Sequence, residues 1–332
     1  MIESAPPRRT REEDVFARSA FPYRSELLAY CYRMLGSVHD AEDLVQETYL
    51  RAWRSYSSFE GRASMRTWLY RIATNVCLTA LESRKRRPLP TGLGSPADDP
   101  EGPLAPPAEI DWLQPFPDAL LRTGSDDPAT IVATRGSLRL ALVAALQHLP
   151  SRQRAVLILR DVLALRAPEV ADLLGISVPA VKSILQRARR HLDRAAPSED
   201  GTTEACDARQ RELLDRCVAA FENADVHALT RILTEDAVLE MPPTPSWFAG
   251  RDAIGRFLAS RVLTLPGAVR MIPTAANGQP ALAVYLRGPD GAYQGHAVLV
   301  LSVTAVGIEH IVAFREADLF PMFGLATAVH AR

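Results

Sequence analysis

Seven cations lie between residues 62 and 87: Arg62, Arg66, Arg71, Arg84, Lys85, Arg86 and Arg87. One acid, Glu82, stands against them, and Thr67, Trp68, Tyr70 and Asn75 are interleaved. Phosphates need cations, and bases drawn out of a duplex need aromatic or amide surfaces to receive them. The set therefore suits unstacked nucleic acid, with Arg62, Arg66, Thr67, Trp68, Arg71, Asn75, Arg84, Lys85 and Arg86 as the candidate contacts. An amphipathic helix with a solvated basic face would give the same pattern, with Trp68 in its core.

A second candidate lies at 167–190. Ala171 is a small residue where two helices would cross, and Gly175 follows where a tight turn needs left-handed backbone. Ser177 is placed to cap the next helix, and Pro179 is tolerated in its first turn. Val181 and Ile184 would bury that helix, leaving Ser177, Ala180, Lys182, Ser183, Gln186, Arg187 and Arg190 outward. Short polar and cationic groups on the second helix of a helix-turn-helix suit base edges and phosphates in a duplex groove.

The elements that must hold these groups are helical over 12–87 and 129–196. Residues 40–53 set Ala41, Leu44, Val45, Thr48, Ala52 and Trp53 at helical spacing. Their opposite face carries Asp40, Glu42, Asp43, Gln46 and Glu47, which is either a solvated face or a docking face. Between the two helical stretches, residues 88–128 collect ten prolines and eight acids against one base, Arg122. Such composition predicts an extended, largely disordered linker. Trp112, Leu113 and Phe116 interrupt it, and a solvated linker has no need of them, so they read as a docking segment for a neighbouring domain. A short polar linker, 197–208, precedes a mixed pattern: helices at 209–224, 226–233 and 250–262, and strands at 268–273, 281–287, 292–303 and 307–315.

The chain has 332 residues and a formal charge of −1, so overall charge favours no partner class. Its cysteines, Cys31, Cys77, Cys206 and Cys217, form no C-x-x-C pair, which predicts reduced thiols and no zinc site. Neither a leader core nor a long apolar run is present, which predicts a cytoplasmic protein without membrane contact. No metal or cofactor is expected.

Tyr32-Arg-Met-Leu-Gly36, Asp40-Ala-Glu-Asp-Leu-Val-Gln-Glu-Thr48 and Trp68-Leu-Tyr-Arg-Ile-Ala-Thr-Asn75 resemble region two of extracytoplasmic-function sigma factors. Leu149-Pro-Ser-Arg-Gln-Arg-Ala-Val-Leu157, with the helix-turn-helix, resembles region four, in the family's order. Leu229 to Val238, Met241-Pro-Pro243, Trp247 to Ile254 and Asp318 to Gly324 resemble the SnoaL-like group of cone folds, which some such factors carry as a regulatory domain. The resemblance implies a multidomain chain: an all-α region 2 bundle (12–87), a linker (88–128), an all-α region 4 helix-turn-helix (129–196) and an α+β cone (209–325). It implies core RNA polymerase as the partner of Asp40, Glu42, Asp43, Gln46 and Glu47. Residues 60–75 would open and read the minus-ten promoter element, and 177–190 would read the minus-thirty-five element. By analogy, the acidic linker would suit a path through the polymerase's positively charged RNA channel.

The cone's pocket, expected to hold an unidentified small ligand, has Met241, Trp247, Arg251, Tyr285, His296 and His310 as candidate lining. His310 shares a strand face with Ile308, Val312 and Phe314, where a histidine is more often a satisfied core residue. Asp252 reads as a first-turn helix acid, and with no convincing Asp–His pair the chain is read as no enzyme. The cone and the Trp112 segment are expected to pack on the N-terminal domain and set its availability. Two alternatives stay open: a helix-turn-helix regulator with a ligand-sensing domain, and a cone enzyme fused to a DNA-binding module using His296 or Asp252.

Overall fold

A computed structural model describes residues 11–61, 63–83, 86–121, 136–195 and 207–330. These fall into two compact units. The first takes in the helices up to residue 83 together with residues 149–193, and the second takes in residues 86–119, 136–148 and the chain from 207 onward.

In the helical unit, α1 (Arg11–Ala20), α2 (Arg24–Leu35), α3 (Val38–Arg54) and α4 (Met65–Glu82) come first. Gly36 ends α2 in left-handed backbone at φ 71°, which costs glycine nothing. Ser37 then accepts the Asp40 N–H and caps α3, a contact worth about 1 kcal/mol. Ser64 caps α4 in the same way through the Thr67 N–H. The α2, α3 and α4 helices pack against one another, and Leu27, Leu28, Tyr30, Val45, Leu69 and Ala73 are buried in this unit.

The same unit contains α6 (Ser151–Leu157), a π-helical turn (Ile158–Val162), α7 (Ala167–Leu174) and α8 (Val178–Ala195). Helices α6 and α7 pack on α4, and α6 also packs on α2. Arg154 of α6, only 4% exposed, donates to the carbonyls of Met34 and Leu149. Desolvation pulls its pKa down to about 10.

The second unit is a seven-stranded sheet in the order β2-β1-β6-β5-β4-β3, with β7 paired to β5. Its strands are β1 (Leu233–Met241), β2 (Thr244–Ala249), β3 (Val269–Ala276), β4 (Gln279–Arg287), β5 (Tyr293–Val303), β6 (Ile308–Phe314) and β7 (Ala328–Val329). Only β1 and β6 run parallel within the main path. Helices α9 (Asp207–Glu222), α10 (Val226–Thr230) and α11 (Arg251–Arg261) cover one face, with Phe221, Leu229, Ile254, Phe257 and Leu258 in that core. A one-turn helix, α12 (Leu319–Met322), follows β6.

Residues 86–119 do not behave as the proline-rich composition predicts. They form a strap along this unit, anchored by donors and acceptors throughout. Thr91 donates its N–H to the Glu240 carboxylate at 2.7 Å, and Trp247 donates to the Gly94 carbonyl at 3.0 Å. Glu101 pairs with Arg256 at 2.9 Å. The Trp112 segment docks here. Phe116 donates to the Asn277 side chain and accepts from the Asn277 N–H, and Pro117 makes a bridge to Ala276. Trp112, Leu113 and Phe116 are buried. A further helix, α5 (Leu140–Leu146), joins this unit. The Leu140 N–H reaches Gln279, and Asn277 holds the Leu138 carbonyl. Asp99 and Glu101 thus meet Arg256, and Asp118 accepts the Gly278 N–H, partners from remote sequence that satisfy groups composition alone assigns to solvent.

Two further expectations differ. The helix read at 226–233 stops at Thr230, and β1 and β2 form strands that were not predicted. Residues 129–135 and 197–206 lie outside the described residues.

Candidate nucleic-acid interface

Helix α4 sets Thr67, Arg71 and Asn75 four residues apart, on one face. Arg71 and Asn75 are exposed, and Thr67 and Trp68 are half-buried. Trp68 stands 4.7 Å from the Phe59 ring. Phe59 in turn neighbours Tyr56 at 6.4 Å, and Tyr56 neighbours Trp53 at 6.3 Å. A row of partly exposed aromatic rings therefore runs up to the polar face of α4. The sequence reading missed Tyr56 and Phe59. Their signal was the aromatic pair Tyr56-Ser-Ser-Phe59 just ahead of Gly61.

Not every predicted cation joins this face. Arg66 binds Glu26 at 2.8 Å and lies over the Tyr70 ring, so it braces α4 against α2. Arg86 belongs to the other unit, where it donates to the Gly92 carbonyl and meets His148. Arg62, Arg84 and Lys85 lie outside the described residues.

The acidic face of α3 is likewise divided. Asp43 and Gln46 are exposed, and Glu47 pairs with Arg51 one turn on at 2.6 Å. Glu42 is turned toward Arg24, and the half-buried Asp40 sits in the capped first turn.

The helix-turn-helix is α7 and α8. Gly175 is left-handed at φ 63°, and the Ser177 hydroxyl accepts the Ala180 N–H at 3.3 Å. Ala171, Val181 and Leu185 are buried, whereas Ile184 is only half-buried. Ser177, Lys182, Ser183, Gln186, Arg187 and Arg190 are exposed, and Ala180 is half-exposed. Arg189 makes two bonds to Asp161, at 2.7 and 2.9 Å, and fixes the back of α8 to the π-helical turn. A fixed helix presenting short polar and cationic groups can enter a duplex groove.

In the cone, a cavity of about 490 Å³ opens between the sheet and α11. Of the six candidates, Met241 and His296 line it. Trp247 is committed to the strap. Arg251 pairs with Glu235. The Tyr285 hydroxyl donates to the Ala326 carbonyl. His310 meets the fully buried Glu240 at 2.7 Å. Alternation explains the split: Ile311 and Ala313 face the cavity, so His310 and Val312 face the opposite side of the sheet. Asp252 is exposed in the first turn of α11 and is not part of the lining. The sequence reading also missed Arg261, Arg287 and Arg315, which border the cavity.

Burial, and then Arg315, lower the His296 pKa below the usual histidine range. Folding therefore favours the neutral ring. That stabilisation is complete above the unfolded pKa and is lost as pH falls through the lowered folded value. Denaturant titrations between about pH 7.5 and about pH 5 should show the cone weakening toward acid, and His296→Gln should flatten that slope. An unchanged slope would rule out His296 as its source.

Among the described residues, no three His, Cys, Asp or Glu side chains are grouped to hold a metal. No helix there is long and apolar enough to cross a membrane.

Comparison with known proteins follows the same division. Residues 22–87 match the family Sigma-70 region 2, residues 139–192 match Sigma-70, region 4, and residues 214–308 match the SnoaL-like domain. The chain is 52% identical over 312 residues to the ECF RNA polymerase sigma factor SigG of Mycobacterium tuberculosis, covering 93% of this chain and 84% of that one. It is 28% identical to SigJ of the same organism, over 86% of this chain and 85% of that one. The crystal structure of Mycobacterium tuberculosis SigJ has the same fold, with a TM-score of 0.59, 24% identity and coverage of 93% of this chain and 100% of that chain.

Proposed function

The chain belongs to the extracytoplasmic-function RNA polymerase sigma factors, and from that premise we propose that it binds core RNA polymerase and directs promoter recognition and opening. The observation that carries this is a pair of unlike nucleic-acid surfaces in one chain. Thr67, Trp68, Arg71 and Asn75 offer an aromatic, amide and cationic face for bases taken out of the stack. Lys182, Ser183, Gln186, Arg187 and Arg190 offer a helix for duplex. Asp43, Gln46 and Glu47, with Asp40 and Glu42 behind them, form the surface that meets polymerase. Each surface is small, and linking them multiplies weak contacts through effective concentration. The covalent chemistry belongs to the polymerase.

We also propose that the cone, with its strap, acts in cis by contact with the N-terminal helices and so sets how available they are. The strap is the natural carrier, because it is the same stretch of chain that joins the two sigma regions.

The test is in vitro transcription by the full chain with core polymerase. A start-site-specific transcript should appear only when both are present. Trp68→Ala should lower promoter opening, read by permanganate footprinting, about fivefold to a hundredfold, the worth of one stacked base at about 1–3 kcal/mol. Failure of the full chain and of a cone-deleted chain to form any complex with core enzyme would refute the proposal.

A further inference from the structure

The cone's cavity has an apolar wall and a cationic mouth. Leu239, Val284, Leu299 and Ile311 are among the side chains of the wall. Arg261, Arg287, Arg315 and His296 are its charged and titratable lining, with no acid among the described lining residues. Arg287 and Arg315 are exposed and have no ion-pair partner among the described residues. Arg261 instead donates to the carbonyls of Glu101 and Gly102 in the strap. The Glu101 carboxylate is on Arg256, and Glu316, next to Arg315 in the chain, accepts from the Gln114 side chain. The strap also contributes Leu104 to the wall.

We propose that this cavity binds one amphiphile with an apolar body and an anionic head, and that the strap forms part of the site. An apolar body replaces water against the wall, at about 25 cal/mol for each Å² of apolar surface covered. A carboxylate or phosphate head meets Arg287 and Arg315 in charge-assisted hydrogen bonds. His296, held neutral by burial and by Arg315, can donate a further hydrogen bond without adding charge. A cationic amphiphile would be repelled by three guanidiniums, and a neutral one would leave the mouth uncompensated. The volume of about 490 Å³ lies within the range of small-molecule pockets. Leu104 closes the wall from the strap, so occupancy favours the docked strap and, reciprocally, a docked strap favours the ligand. The assignment rests on the cavity alone and holds whether or not the cone regulates transcription.

The experiment is a fluorescence titration of the full chain with cis-parinarate, followed by displacement with dodecanoate, dodecyl phosphate, dodecanol and dodecylamine below their micellar concentrations. Saturable binding of one probe per chain is expected, displaced by dodecanoate or dodecyl phosphate. Whichever of the two competes better identifies the head group. Dodecanol and dodecylamine should compete at least about tenfold more weakly. The Arg287→Glu, Arg315→Glu double variant should lose at least about tenfold in affinity, and Leu299→Trp should fill the wall and abolish binding. Leu104→Ala should weaken binding about threefold. Arg231→Glu, exposed and outside the lining, controls for net charge, and circular dichroism checks folding. Absence of saturable binding to the full chain, equal competition by dodecanol, or unchanged affinity in a folded double variant would each overturn the proposal.

Discussion

Arg154→Ala is expected to raise promoter-dependent transcription by the full chain roughly tenfold to thirtyfold. The reason is geometric. The minus-ten and minus-thirty-five elements are about 25 base pairs apart by name, roughly 85 Å at about 3.4 Å per pair. Helices α4 and α8 sit in one compact unit, and a domain of about 100 residues has a radius of gyration near 13 Å. That unit cannot place both helices on their elements until it opens. Arg154 is one of its fastenings: it reaches from α6 to the Met34 carbonyl at the end of α2, while α7 packs on α4. A buried charged hydrogen bond contributes about 2 kcal/mol net, roughly thirtyfold in the closed-to-open ratio. Arg154→Met, which keeps the bulk and removes the bonds, separates opening from loss of packing. Spin labels at Arg54→Cys and Asp172→Cys, both exposed, should report longer distances in either variant. Unchanged distances together with unchanged transcription would show that Arg154 fastens nothing.

Asn277→Ala is expected to destabilise the cone unit by about 3–8 kcal/mol, lowering its melting temperature by on the order of 10 °C. Asn277 is left-handed at φ 58° beside Gly278 at φ 67°, the geometry of a two-residue hairpin turn. Its side chain accepts the Phe116 N–H at 2.8 Å and donates to the Leu138 carbonyl at 2.7 Å. Alanine leaves two buried groups without partners, at about 1–3 kcal/mol each, and adds about 1–2 kcal/mol for the left-handed backbone. Asn277→Gly removes the bonds but suits the turn, so it should fall between alanine and the native chain. Hydrogen exchange should find the Phe116 and Leu140 amides deprotected in both. A melting temperature within about a degree of native, with those amides still protected, would show that the strap is held elsewhere.

Much of the helical unit was legible because its signals are local. Ser37, Ser64, Gly36 and Gly175 mark helix ends within a few residues of the pattern they interrupt. The strap was misread because its partners are remote: Glu101 with Arg256 and Thr91 with Glu240 are each about 150 residues apart in sequence, and composition cannot count such pairs. The cavity was half-read for a different reason. Alternation correctly grouped His310 with Val312 and Phe314, but this sheet is buried on both faces, so periodicity cannot tell which face lines a cavity. Strand β1 was missed because Glu235 and Asp236 interrupt its apolar run at the point where α10 gives way to strand.

The buried Glu240, with the Thr91 amide on one oxygen and His310 on the other, bears on how such a chain can be dissected. Ending translation after residue 198 would discard a domain and, in the same stroke, leave some thirty proline-rich residues with nothing to lie against. Expressing the discarded piece alone would leave Glu240 with His310 but without the Thr91 amide and put a greasy sheet surface into solvent, a recipe for precipitation. Phenotypes of such fragments would mix two lesions, whereas a point change at Asn277 loosens the Phe116 end of the same ribbon and leaves its anchors at Glu240, Trp247 and Arg256 in place.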